Sequence, residues 1–183
     1  MKKVYLIGFR GIGFRDAQFS QEDALIRAGH VGIAFEDAPK HIFGFHPTEA
    51  ASRAVGDDTA VIEWLKEHHT LAGALQDDSA IFRRADTLAQ QGARTTVWQI
   101  VIPVEDEDYT RIRQQVLQWY NDGTTFTYAF PRQGEDPPAD RDNCATFPRR
   151  LGLPLPEPSG QLVKYMAALE SAGERWIPED KES

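Results

Sequence analysis

Apolar and polar positions divide this chain into a few readable segments. Val4-Tyr5-Leu6-Ile7, held between Lys2-Lys3 and Arg10, is a continuous apolar run of strand length and predicts a buried first strand. Gly8, Gly11 and Gly13 then predict a flexible turn, and their spacing does not fit the GxGxxG fingerprint. Ser20-Gln21-Glu22-Asp23 offers an N-cap and an acidic first turn for a short helix through Ala28, stopped by Gly29. His30 to Phe35 and His41 to His46 read as the two strands of a hairpin turning over Glu36 to Lys40. From Thr48 to about Gln76 the pattern is helical, with Val61, Ile62, Trp64 and Leu65 as apolar members, until Asp77-Asp78 breaks it.

Ser79 to Arg84 reads as a strand and Thr87 to Gln91 as a short helix. Arg94 to Val104 is rich in β-branched and aromatic residues, a strong strand signal. Glu105 to Asn121 is the clearest helix: acids open it, Tyr109, Ile112, Val116 and Tyr120 share one face, and Asp122-Gly123 ends it. Pro131 to Asp142 is a polar loop expected to run over the surface, leading to Asn143-Cys144, where a second helix should start that Pro148 keeps short or kinked. Pro154, Pro156 and Pro158 form a rigid linker, Gln161 to Ser171 a last amphipathic helix, and 179–183 a frayed tail.

Composition narrows the class. At 183 residues with 41% hydrophobic content, the chain suits one domain with its own core. The expected class is α+β, an antiparallel sheet packed against helices across 1–183, with 48–93 as a helical insertion. A net charge of -8 with scattered basic residues argues against nucleic acid as a partner. The single cysteine excludes an internal disulfide. Arg10 and Arg15 interrupt the N-terminal apolar run too early for a classical signal peptide, and no apolar stretch approaches the roughly 20 residues that span a bilayer. A cytoplasmic protein, or one exported without such a signal, is expected.

The candidate chemistry centres on Cys144. Asn143 is a good N-cap, so Cys144 is expected in the first turn of a helix, where free N–H groups and the dipole favour a thiolate and could receive an oxyanion. His30, at the head of an apolar strand after a glycine, is the candidate base. A hairpin symmetric about Ala38 sets His46 directly opposite His30 on the same face, able to hold one ring nitrogen of His30 and leave the other for the thiol. His68 and His69, beside Glu67, read as surface residues. Histidines at 30, 41 and 46 with one cysteine match no common zinc spacing, so no metal and no cofactor are expected.

Gly29-His30-Val31-Gly32-Ile33-Ala34-Phe35, followed late in the chain by Asn143-Cys144-Ala145-Thr146-Phe147, resembles the circularly permuted, NlpC-like group of papain-fold cysteine hydrolases, which includes lecithin retinol acyltransferase-like and lipoprotein-like relatives. The resemblance covers residues 20–50 and 125–165. It implies a permuted papain-like fold and an acyl hydrolase or acyltransferase acting on an amide, ester or thioester. Cys144 would be the nucleophile, His30 the base, His46 the orienting third residue and Asn143 the neighbour at the oxyanion site. Implied substrates are small peptides or glycopeptides, such as peptidoglycan peptides, or lipid acyl chains, with a partner protein if the chain is a secreted effector. The alternative is a catalytically inactive papain-fold binding module with Cys144 as a buried small hydrophobe.

Overall fold

The computed structural model describes residues 1–11, 29–93, 95–130, 140–157 and 162–178. The expected helix over Ser20 to Ala28, most of the Pro131 to Asp142 loop and the 179–183 tail lie outside them.

One curled eight-stranded sheet organises the α+β fold. Its strands are β1 (Lys2–Arg10), β2 (Gly29–Phe35), β3 (Ala38–Pro47), β4 (Leu71–Asp77), β5 (Trp98–Val104), β6 (Phe126–Tyr128), β7 (Arg141–Asp142) and β8 (Glu174–Arg175). Their order across the sheet is β7-β6-β4-β3-β2-β1-β5-β8, and every pair is antiparallel except β6 with β7. The helices are α1 (Glu49–Val55), α2 (Asp58–Lys66), α3 (Ser79–Gln90), α4 (Asp106–Asp122) and α5 (Leu162–Ala172), with a 3-10 turn over Phe147–Leu151.

Strand alternation sends side chains to two separate cores. On the first face, Val4 and Leu6 of β1, Val31, Ile33 and Phe35 of β2, and Phe43 and Phe45 of β3 meet α4, α5 and the segment from Cys144 to Leu153. On the second, Ile7 and Phe9 of β1, Ala34 and Ile42 meet Phe82, Ala85 and Leu88 of α3 together with Trp176. Covered on both sides, the middle of β1 reads as an unbroken apolar run.

Three expectations change. The stretch from Thr48 to Gln76 is not helical throughout, nor is 48–93 a helical insertion: β4 lies inside it and joins β3 to β6. The alternation of Leu71, Gly73 and Leu75 toward the first core is the signal for this strand. Ser79 to Arg84 is not a strand but the start of α3, whose Phe82, Ala85 and Leu88 recur at helical spacing. Gly8 belongs to β1 rather than to a turn, and an added Cβ there would come 2.2 Å from the Trp98 ring.

The hairpin register decides which side chains of β2 and β3 stand together. Gly32 pairs with Gly44 and Ile33 with Phe43, the symmetry about Ala38. Beyond a shift between Ile33 and Phe35 the turn tightens, so Phe35 pairs with Ala38 instead of His41. Gly29, at φ 80°, enters β2 in the left-handed region that favours glycine.

Phe45 anchors the first core, 1% exposed and stacked on Phe147 with ring centroids 4.4 Å apart. Phe45→Ala is expected to cost about 3–5 kcal/mol in urea unfolding with an unchanged m-value. A loss below about 1 kcal/mol would contradict this packing.

Candidate functional site

His30 and His46 sit on adjacent strands, both facing the second core, with imidazole centroids 4.3 Å apart. Hairpin symmetry alone places them together. They do not bond to each other. Each Nε2 lies 2.6 Å from the same oxygen, Oδ2 of Asp78. All three are buried, with 3%, 5% and 2% of their surfaces exposed.

Local chemistry frees Asp78 for this role. It occupies the N-cap position of α3 but makes no side-chain cap bond. Asp77 caps instead, its Oδ1 accepting from the Ser79 amide at 3.0 Å and from the Ser79 hydroxyl. The Asp78 amide donates to the Ile42 carbonyl at 2.7 Å, and the Ile42 amide donates to Ser79 Oγ at 3.0 Å, so the start of α3 is tied to β3. The helix dipole adds a favourable field for a carboxylate at that end.

Gly44 makes the room. A Cβ at this position would lie 1.6 Å from Asp78 Oδ2 and 2.4 Å from His30 Nε2. Across the pair, Gly32 also carries no side chain, and a Cβ there would meet Ile42 and Phe82.

Burial pushes the Asp78 carboxyl up, but hydrogen bonds from both histidines and their proximity outweigh it and hold the group at about 2. Burial, then the neighbouring His46, lower His30 more than Asp78 raises it. Near neutral pH the cluster therefore contains an ionised carboxylate and a neutral His30. Facing that acceptor, each Nε2 donates its hydrogen. Among the described residues, His30, His46 and Asp78 are the group whose ligand atoms converge, all within 4.8 Å of one another.

Cys144 lies elsewhere. It packs in the first core with Val31, Tyr128 and Phe147, on the other side of the sheet from the two imidazoles. Among the described residues no hydrogen bond joins it to His30. The reason is strand alternation: Val31 faces Cys144, so its neighbour His30 must face away. The thiol instead meets the Val31 and Ala145 amides and the Tyr128 hydroxyl; burial, with a smaller push from the Asp78 charge, drives it up to about 11 despite them.

Asn143 does cap a turn, its Oδ1 accepting from the Ala145 amide at 3.0 Å and the Thr146 amide at 3.1 Å. That turn leads into the 3-10 segment at Phe147, with Pro148 in its first positions, and not into an α-helix. The Asn143 side chain thus satisfies the Ala145 and Thr146 amides and leaves the Cys144 amide out of the cap. Strand parity sets His30 beside Phe9 and Cys144 beside Val31, and no hydrogen bond among the described residues joins the expected Cys144–His30 dyad.

Compared with family models, with curated proteins and with solved structures, the chain matches none. No helix among the described residues is long and apolar enough to cross a membrane.

Asp78 is the site residue that sequence reasoning misses, because Asp77-Asp78 reads locally as a helix break. The available signal is the α3 start: two acids followed by Ser79 and then Phe82, Ala85 and Leu88 mark a helix N-terminus.

A thiol raised to about 11 should resist alkylation. In native protein at pH 7, iodoacetamide is expected to modify Cys144 at least roughly 100-fold more slowly than a free thiol of pKa about 8.5, with the rate still rising above pH 9. Fast modification at pH 6–7 would show an activated thiolate and contradict this environment.

Proposed function

We propose that this chain is a metal-binding protein in which His30, His46 and Asp78 hold one first-row divalent transition-metal ion. The carrying observation is the convergence of two imidazole Nε2 atoms and one carboxylate oxygen within 4.8 Å at a buried site where Gly44 leaves room for the Asp78 carboxylate. A divalent ion would take the place of the two N–H hydrogens now shared with Asp78, each neutral imidazole then carrying its hydrogen on Nδ1 and presenting the Nε2 lone pair.

The donor set fits such an ion. Two nitrogens and one carboxylate oxygen suit zinc, iron or manganese better than calcium, which takes six to eight oxygen ligands. An ionised Asp78 and a neutral His30 are in the protonation states a metal requires. Three protein ligands are also the number found in catalytic zinc sites, which keep a further position for water or substrate. Bound there, the metal would supply Lewis acidity. The residues themselves hold the ion, orient it between β2, β3 and α3, and exclude bulk water.

Thiol-dependent acyl transfer by Cys144 with His30, which the sequence resemblance implies, has less support. It would need the two side chains on one side of the sheet and a thiol that ionises near neutrality.

The test is isothermal titration of chelator-treated protein with Zn²⁺ and with Co²⁺. One ion per chain is expected, with a rise in Tm and visible Co²⁺ absorption in the range of low-coordinate sites. Asp78→Asn, which keeps an acceptor oxygen but removes the charge, should weaken binding at least about 100-fold, as should His46→Gln. Gly44→Ala should abolish binding by displacing the Asp78 carboxylate and the His30 ring, with circular dichroism reporting whether the sheet persists. No binding by folded wild-type protein, or binding unchanged in folded Asp78→Asn, would overturn the reading and leave the cluster as a hydrogen-bonded support of the fold.

A further inference from the structure

The second face of the sheet is only partly covered. Phe82, Ala85 and Leu88 of α3 pack there with Ala34 and Ile42. Over β1 and β5, the described cover is the short segment after α5, held where the Trp176 amide donates to the Val97 carbonyl at 2.9 Å. Between α3 and that segment lies a groove of about 220 Å³.

Its composition is uneven. Ile7, Ile42, Val101 and Trp176 give it an apolar floor and wall. The cross-strand pairing of Tyr5 with Val101 and Ile7 with Gln99 brings these side chains side by side on this face. Three cationic residues, Lys3, Lys40 and Arg83, line the same groove, against one acid, Glu174, whose carboxylate accepts from Gln99 Nε2 at 3.0 Å. Lys40 is itself engaged in an interaction, while Lys3 and Arg83 are exposed. In a chain of net charge -8, Lys3 and Arg83 thus set cations at the rim of a groove that also holds apolar side chains.

We propose that the groove binds a small organic anion with an apolar body. Its carboxylate meets Lys3 and Arg83, and its hydrocarbon part lies against Ile42, Val101 and Trp176. The volume is below the roughly 300–1,000 Å³ of drug-sized sites, so the ligand is on the scale of one aromatic ring with a short acid arm. Arg83 presents a planar fork suited to a carboxylate, and Lys3 adds a mobile point charge. The proposal does not depend on the metal reading, because His30, His46 and Asp78 do not line this groove.

The experiment is a two-dimensional amide NMR titration of the full chain with phenylacetate, alongside 2-phenylethanol (same body, no charge) and acetate (same charge, no body). Saturable shifts from phenylacetate are expected in β1, β5 and Glu174 to Pro178, with both controls at least about tenfold weaker. Lys3 and Arg83 are exposed, so Lys3→Gln with Arg83→Gln should leave the fold intact and weaken phenylacetate about tenfold. Glu174→Gln should hold or improve affinity. The titration repeated in chelator should be unchanged, which separates this site from the metal centre. Absence of saturable shifts, equal binding of 2-phenylethanol, or unaltered affinity in the double variant would overturn the proposal.

Discussion

The structure depends on one buried carboxylate shared by two imidazoles. Asp78 joins the start of α3 to β2 through His30 and to β3 through His46, and its amide adds a second tie to β3 through the Ile42 carbonyl. Ionised and almost fully buried, that carboxylate cannot be left alone, since an unpaired buried charge costs several kcal/mol. Its satisfaction therefore fixes several features together: glycine at Gly44, two histidines in register, and a cap supplied by Asp77 instead of Asp78. Each makes little sense without the others.

The sheet separates the polar chemistry from the cysteine. Its first core is apolar and aromatic, with Phe45, Phe126 and Phe147 in mutual ring contact, and it encloses Cys144, whose thiol burial keeps protonated. Its second face carries the histidines, Asp78 and a groove with a cationic rim. Two distinct uses of one face are compatible because α3 covers β2 and β3 at its apolar positions while β1 and β5 extend past it.

Much of this architecture is legible in the residues. β1, β5, α4 and α5 follow from apolar runs and helical spacing that their packing preserves. The opposition of His30 and His46 follows from hairpin symmetry, because Gly32 and Gly44 do pair about Ala38. The site's third member is not legible by local reading. Asp78 arrives from the far end of β4, a strand hidden in a stretch whose alanines and leucines resemble a helix. The side of the sheet on which Cys144 lies is also beyond local pattern. Asn143-Cys144 is a good turn signal, yet which face a turn packs against is set by Phe147 and Leu151 seeking the aromatic core. A motif gives residue types and order; strand parity decides which of them meet.

A metal ion at this centre would turn a costly buried network into a fastening between α3 and the hairpin, and it would explain why nitrogen and oxygen donors converge where Gly44 leaves space. The most direct measurement is anomalous X-ray diffraction at the zinc edge from crystals grown with Zn²⁺. A single strong peak is expected about 2.0–2.2 Å from His30 Nε2, His46 Nε2 and an Asp78 carboxylate oxygen. A map with no peak there, and Asp78 still bonded directly to both imidazoles at full Zn²⁺ saturation, would contradict the metal centre.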